Sequence, residues 1–208
     1  MSSEFEDCIA AGGVAVFPAD TVYGLACDPT SREAIARLYA LKGRPADKPA
    51  AVMFFSLGRA LAALPELGPR TRRALEALLP GPATLLLANP LARYPLACGH
   101  DPWTLGLRVP APGVLADVTL PVMQSSANRS GGADPRSLDE VDAALREGAD
   151  LVVDGGTLPG TPSTVVDLRA YGSHGRWSVL REGALAREDV AAALGAGGQA
   201  PPAGSGRI

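Results

Sequence analysis

Three short segments hold most of the side chains whose types and spacing could do chemistry: Pro18-Ala-Asp-Thr-Val-Tyr-Gly-Leu25, Leu41-Lys-Gly-Arg-Pro45 and Ser125-Ser-Ala-Asn-Arg-Ser-Gly131. Hydroxyls, cations and an amide without a metal cage suit the positioning and charge stabilisation of an anionic, hydroxyl-bearing ligand such as a phosphate ester. Pro45 disfavours helical geometry at Arg44, so the chain should leave a helix extended there, and residues two apart would point the same way. Lys42 and Arg44 would then face one pocket, with Lys48 close behind. Lysine supplies a mobile charge and arginine a planar fork for phosphate or carboxylate. Equally, cations at a helix C-terminus can simply answer the macrodipole.

Ser126 and Asn128 repeat the two-residue spacing just after the apolar Leu120-Pro-Val-Met123. A strand end of this kind is where α/β proteins bind ligands, although Ser, Asn and Gly also make ordinary turns. Asp20, Thr21 and Tyr23 place a carboxylate, a hydroxyl and a phenol within four residues, and Ser163-Thr164 offers hydroxyls at a strand entry. Asp154 to Pro162, rich in Gly and Pro, reads as a lid over the site or as a long connection. There is no P-loop and no dinucleotide fingerprint. His100 and His174 sit in turn-like settings that complete no Ser/His/Asp triad.

The elements that must position these groups alternate. A capping-box spacing at Ser3 and Glu6 predicts a short first helix stopped by Gly12-Gly13, followed by a buried strand from Val14 to Phe17. Ser31 caps a helix running through Lys42, with Ile35, Leu38, Tyr39 and Leu41 as its core stripe. Apolar runs at 50–55, 84–88, 105–109, 121–125, 151–153, 164–168 and 178–180 read as strands. Helical patterns fall at about 59–64, 69–79, 112–118, 137–146 and 186–194. The interleaving predicts an α/β fold with a mixed sheet, and the late strands, with no helix between them, suggest antiparallel pairing.

With 208 residues, 47% of them hydrophobic, the chain can bury a core as one domain over 1–194. The Gly/Ala/Pro-rich stretch 195–208 has nothing to bury and is expected to be a flexible tail. A net charge of −3 excludes a global basic field for nucleic acid, so any RNA contact would be local and weak. Cys8, Cys27 and Cys98 have no zinc-like spacing and read as reduced thiols. The acidic N-terminus lacks a secretory layout and no apolar run reaches the roughly 18 residues of a membrane span, so a cytoplasmic protein without membrane association is expected.

Eight motifs in order give the chain a resemblance to a known family: PADTVYGL from residue 18, LKGRPADKP from 41, PGPAT from 80, TLGLRVP from 104, SSANRSG from 125, DLVVDGG from 150, STVVD from 163 and LREG from 180. Over about residues 8–190 it resembles the YrdC-like family, whose established members are threonylcarbamoyl-AMP synthases. The resemblance implies a twisted, mixed parallel/antiparallel sheet with flanking helices and a large concave cavity, in a single-domain form. It implies a nucleotidyltransferase that uses ATP with Mg2+, L-threonine and bicarbonate, and whose product a downstream tRNA transferase complex consumes. By this matching Lys42, Arg44, Ser126 and Asn128 are catalytic; Arg44, Lys48, Thr104, Ser126 and Arg181 hold ATP; Thr21, Tyr23, Arg108 and Ser163 hold threonine; no residue is a dedicated metal ligand. Ala19 departs from a usual threonine, and Met53 stands where relatives often carry a polar residue. The competing readings are an RNA-binding module, an ATP-cleaving paralogue without threonine carbamoylation, and a carbamoyl-transfer enzyme, which usually needs companion domains.

Overall fold

The computed structural model describes residues 1–45 and 47–195. The expectation of a flexible tail falls, from residue 196 onward, outside the described residues.

Among the described residues the strands are β1 (Ala15–Pro18), β2 (Tyr23–Cys27), β3 (Ala51–Met53), β4 (Ala83–Ala88), β5 (Thr104–Arg108), β6 (Val122–Ser126), β7 (Leu151–Val152), β8 (Thr164–Asp167) and β9 (Ser178–Arg181). The helices are α1 (Ser2–Ala10), α2 (Arg32–Lys42), α3 (Leu57–Ala63), α4 (Pro69–Leu78), α5 (Ala143–Gly148), α6 (Tyr171–His174) and α7 (Arg187–Leu194). All the strands join one sheet in the order β7-β1-β2-β6-β3-β5-β4-β8-β9. Pairs β1/β7, β3/β5 and β4/β8 are parallel and the others antiparallel, the mixed sheet that the alternation of elements predicts.

Strand alternation divides the sheet into two faces. On one, Leu85, Leu87, Leu105 and Leu107 pack in the same core as Ile35 and Leu38 of α2 and Leu75 and Leu78 of α4. On the other, near β1, β6 and β3, Phe17, Val122 and Met53 lie under Phe5 and Ile9 of α1, with the Phe5 and Phe17 rings 5.6 Å apart. Across β5, β4 and β8 this second face is less covered: Thr84 and Leu86 of β4 and Thr104 and Gly106 of β5 are only partly buried, whereas their strand neighbours Ala83, Leu85, Leu105 and Leu107 are fully so. The registers Met53↔Arg108 and Val165↔Arg181 place both arginines on that open face.

Several local expectations change. No capping box forms at Ser3 and Glu6: α1 starts at Ser2, and the Glu6 carboxylate instead accepts from the Thr119 amide and hydroxyl. Residues 112–118 are not helical. Pro110, Pro112 and Gly113 leave only single turns, Ala116 to Gly113 and Val118 to Leu115. Sequence reading misses β2, because every residue of Tyr23–Cys27 is buried on both faces and no polar alternation marks it. Of the late strands, β8 and β9 pair antiparallel, but β7 and β8 join opposite halves of the sheet through parallel contacts with β1 and β4. The connection 153–163 must therefore cross the six strands between them.

Candidate active site

Two polar clusters hold the candidate site residues, one where the end of α2 meets the end of β6 and one around Arg108 at the end of β5. The first is assembled by α2. Ser31 caps its start, accepting from the Ala34 amide, and Gly43 at φ 62° closes its end in the left-handed region that glycine adopts without strain. Because Ile35, Leu38 and Tyr39 anchor the helix in the core, Lys42 in the last turn is carried inward to 3% exposure. Its Nζ donates to the carbonyl of Ser126 (2.6 Å), the carbonyl of Asn128 (2.8 Å), the Asn128 Oδ1 and, at 3.4 Å, the Ser126 Oγ. Ser126 Oγ in turn donates to Asn128 Oδ1 at 2.7 Å. Burial, reinforced by the Arg44 charge, pushes the Lys42 ammonium down to about 8, while the surrounding oxygens favour its charged form.

Arg44 approaches the same strand end by a different route from the one its spacing suggests. The left-handed turn at Gly43 replaces an extended exit, so Lys42 engages Ser126 and Asn128 whereas Arg44 reaches Ser125 Oγ (3.4 Å) and the Pro49 carbonyl (2.5 Å). The guanidinium lies over the Tyr39 ring, 5.9 Å from its centroid, and its Nε is buried without a partner. Lys48 is exposed, its carbonyl accepting from Tyr39 Oη. The backbone of Gly99 presses on residues 47–49, which brings the segment leading into Thr104 beside Lys48. Thr104 itself donates to Asp101 Oδ2 at 2.6 Å.

The second cluster surrounds Arg108. The β1–β2 hairpin tip reaches across to it, and Arg108 Nη2 donates to Asp20 Oδ1 (2.7 Å), the Ala19 carbonyl (3.3 Å) and Thr21 Oγ1 (3.4 Å). Thus Ala19, lacking the family hydroxyl, contributes its backbone, and Met53, paired with Arg108 in register, is wholly buried. Burial raises the Asp20 carboxyl against the opposing pull of Arg108, and it also lowers the Arg108 guanidinium. Ser163, 4% exposed, shares a 2.8 Å hydrogen bond with Thr84, and Arg181 Nη2 donates to the Ser163 carbonyl at 2.8 Å. Arg181 therefore stands with Ser163 and Arg108 rather than with Arg44 and Lys48.

Tyr23 braces the crossing segment. Its hydroxyl accepts from the Gly155 amide (2.9 Å) and lies within donating distance of the Gly156 carbonyl (2.8 Å) and Asp154 Oδ1 (3.0 Å). Further along, the amide of Gly160 donates to the Thr21 carbonyl and that of Leu158 to the Arg136 carbonyl. Residues 154–160 thus pack onto the hairpin tip beside the second cluster. A cavity of about 240 Å³, lined by Asp20, Phe55, Gly155, Leu158 and residues 110–116, adjoins this junction. Matching by motif assigns no role to Asp20, which the residue types alone single out with Thr21 and Tyr23, nor to Thr84. Both lie inside quoted motifs, but only the tertiary contacts show what they touch. Among the described residues no three or more His, Cys, Asp or Glu gather as a metal site requires.

The family model for Sua5, YciO and YrdC proteins, described as "Telomere recombination", matches residues 7–183. The chain belongs to the Sua5/YciO/YrdC family. A family relative from Rattus norvegicus named threonylcarbamoyl-AMP synthase is 34% identical over 211 residues, which cover 95% of this chain and 72% of the relative. One of the same name from Pyrococcus abyssi is 30% identical, over 90% of this chain and 55% of the relative. The solved structure of P. abyssi Sua5 complexed with L-threonine superposes with a TM-score of 0.83 at 28% identity, over 97% of this chain and 59% of that one. The chain spans little more than half the length of the archaeal family member. The residues matched by the family model, 7–183, include both polar clusters.

Proposed function

We propose that the two clusters form the active site of a threonylcarbamoyl-AMP synthase, a nucleotidyltransferase, with ATP phosphates at Lys42, Arg44, Ser126 and Asn128 and L-threonine at Thr21, Arg108 and Ser163. The observation that carries this reading is the pair of buried cations, a lysine held between Ser126 and Asn128 and an arginine held by the Ala19–Thr21 tip. Relatives of that name, matched over most of the chain, support it.

In the reaction, the amine of threonine adds to the carbon of bicarbonate with loss of water, giving a carbamate. A carbamate oxygen then attacks the α-phosphorus of ATP, the bond to the β-phosphate bridging oxygen breaks, and pyrophosphate leaves. Lys42 and Arg44 would stabilise charge accumulating on the phosphoryl oxygens, where fixed cations in a dry site act most strongly. Arg108 would take the threonine carboxylate, and the Thr21 and Ser163 hydroxyls would pair with its polar groups, so that analogues lacking them leave buried partners unmatched. Lys48, Thr104 and Arg181 border this arrangement. Residues 154–160, braced by Tyr23, would limit the access of water to the labile carbamate. Magnesium would accompany the triphosphate as its counter-ion and would supply further neutralisation of its charge.

In this reading the product serves a downstream transferase complex that modifies tRNA, and the cytoplasm, where free thiols such as Cys8, Cys27 and Cys98 stay reduced, is its place. The test is pyrophosphate release by the purified chain with magnesium and ATP, with threonine and bicarbonate added singly and together, and mass detection of the adenylate. Release that requires both additions, with the adenylate formed, is the expected result. ATP turnover indifferent to them would point to a paralogue, and no turnover together with salt-sensitive RNA retention to a binding module.

A further inference from the structure

We infer that Asp20 is a positioning residue for substrate: it holds Arg108 by a single nitrogen and so leaves the rest of the guanidinium to recognise the amino-acid carboxylate. This rests on the proposed placement of threonine at Arg108.

Three observations support it. First, all the hydrogen bonds of Arg108 converge on Nη2, which meets Asp20 Oδ1, the Ala19 carbonyl and Thr21 Oγ1. Its Nε, by contrast, is buried without a partner among the described residues. A buried donor in that state carries an uncompensated desolvation cost, so the guanidinium keeps hydrogen-bonding capacity that the hairpin tip does not use. Second, the Asp20–Arg108 ion pair is nearly inaccessible, with side-chain exposures of 6% and 4%. A buried guanidinium needs such a counter-charge, and a fixed one sets its orientation. Third, Asp20 is held on both sides. Its backbone has φ 62°, a left-handed conformation uncommon outside glycine, and its Oδ2 accepts from the Ala111 amide at 3.1 Å. That amide belongs to the 110–116 loop, which with Asp20 lines the adjoining cavity. The carboxylate therefore ties the hairpin tip, the end of β5 and the cavity loop to one arginine.

Asparagine tolerates the left-handed backbone and keeps an oxygen for Arg108, but it removes the charge. The experiment compares wild type, Asp20→Asn and Asp20→Gly as full-length chains. It measures KM for ATP and threonine, calorimetric Kd for threonine and for threoninamide, and the NMR signal of the Arg108 Nε–H. For Asp20→Asn the threonine KM and Kd should rise about 10- to 100-fold, as expected for a weakened charge-assisted contact, with the ATP KM within about twofold. Threoninamide, which has no carboxylate, should lose little, so the preference for threonine over its amide collapses. The Arg108 Nε–H signal should broaden in the variant without any ligand. Asp20→Gly, which is relaxed at this φ, should behave alike or worse. Equal losses for threonine and threoninamide, or an unchanged threonine KM, would overturn the inference. Failure of wild type to bind threonine, with the Nε–H signal still broadened in Asp20→Asn, would instead overturn the proposed function and leave the role of Asp20 in holding Arg108 standing.

Discussion

Lys42 and Asn128, 86 residues apart in sequence, are joined twice: the lysine ammonium donates both to the asparagine main-chain carbonyl and to its side-chain oxygen. The link is closed from the other side, because the Ser130 amide donates to the Lys42 carbonyl at 3.0 Å, satisfying an acceptor that the helix end leaves open. A helix C-terminus and a strand-end loop thereby hold one buried cation at a fixed place.

Replacing that cation should separate catalysis from folding. Lys42→Ala removes the donor shared by the Ser126 and Asn128 carbonyls but also removes a buried charge, so the net loss of stability should be only about 1–3 kcal/mol. Synthase activity should fall about 100-fold or more, as it does when a fixed charge-stabilising donor is deleted. Arg44→Ala should do the same. Adenylate formation with parallel circular dichroism checks both, and near-wild-type turnover in both variants would remove the cationic pair from the mechanism.

The depressed lysine gives a pH signature. With its folded value at about 8 and its ordinary value at 10.5, the unfolded chain binds more protons than the folded one between those limits. The contribution of Lys42 to stability therefore rises with pH across that window, and Lys42→Met should flatten it in urea titrations. Activity that needs the ammonium runs the other way, with kcat/KM for ATP falling above about pH 8. Asn128→Asp would put a carboxylate against the ammonium and should move that limb to higher pH. An unmoved limb would assign it to another group.

Tyr23→Phe removes the hydroxyl bound to the Gly155 amide and strands it together with the Gly156 carbonyl. A stability loss of about 1–2 kcal/mol is expected, from a missing hydrogen bond in a well-packed site. Amide exchange should speed up selectively at 154–160, because those residues lose their brace while the β2 core keeps its ring. Uniform acceleration across the sheet would mean that the hydroxyl serves global stability.

Gly183 is a backbone contact point for the second cluster. A Cβ there would collide with the Pro162 carbonyl and lie 2.7 Å from the Ser163 carbonyl carbon, positions that cannot yield as a flexible side chain can. Gly183→Ala should destabilise by about 1–3 kcal/mol and raise the threonine KM through the displaced Ser163, leaving the ATP KM less affected. Calorimetric unfolding and steady-state kinetics test the two parts separately.

Much of this was already written in local sequence. The Ser31 cap, the Ile35-Leu38-Tyr39 stripe and the glycine after Lys42 define α2 within itself, because capping and periodicity act over a few residues. The mixed α/β class follows from the spacing of apolar runs, and the ordered motifs pointed to the family. What local rules could not reveal are properties set by partners far along the chain. β2 was hidden because burial on both faces erases alternation, and the capping box failed because Glu6 found Thr119. Tyr23, chosen as a ligand contact, has its hydroxyl bound to residues 154–156, and Arg181 keeps company with Ser163 because β8 and β9 pair there. Which side chains face the same pocket depends on strand register, and register is decided by the sheet as a whole. Sequence thus determined which groups were present and which helix would carry Lys42, whereas tertiary structure alone decided that Asp20 would meet Arg108 and that residues 153–163 would cross the sheet. Both depend on long-range packing, where the cost of burying a charge or a backbone amide is met only by a partner that folding brings to it.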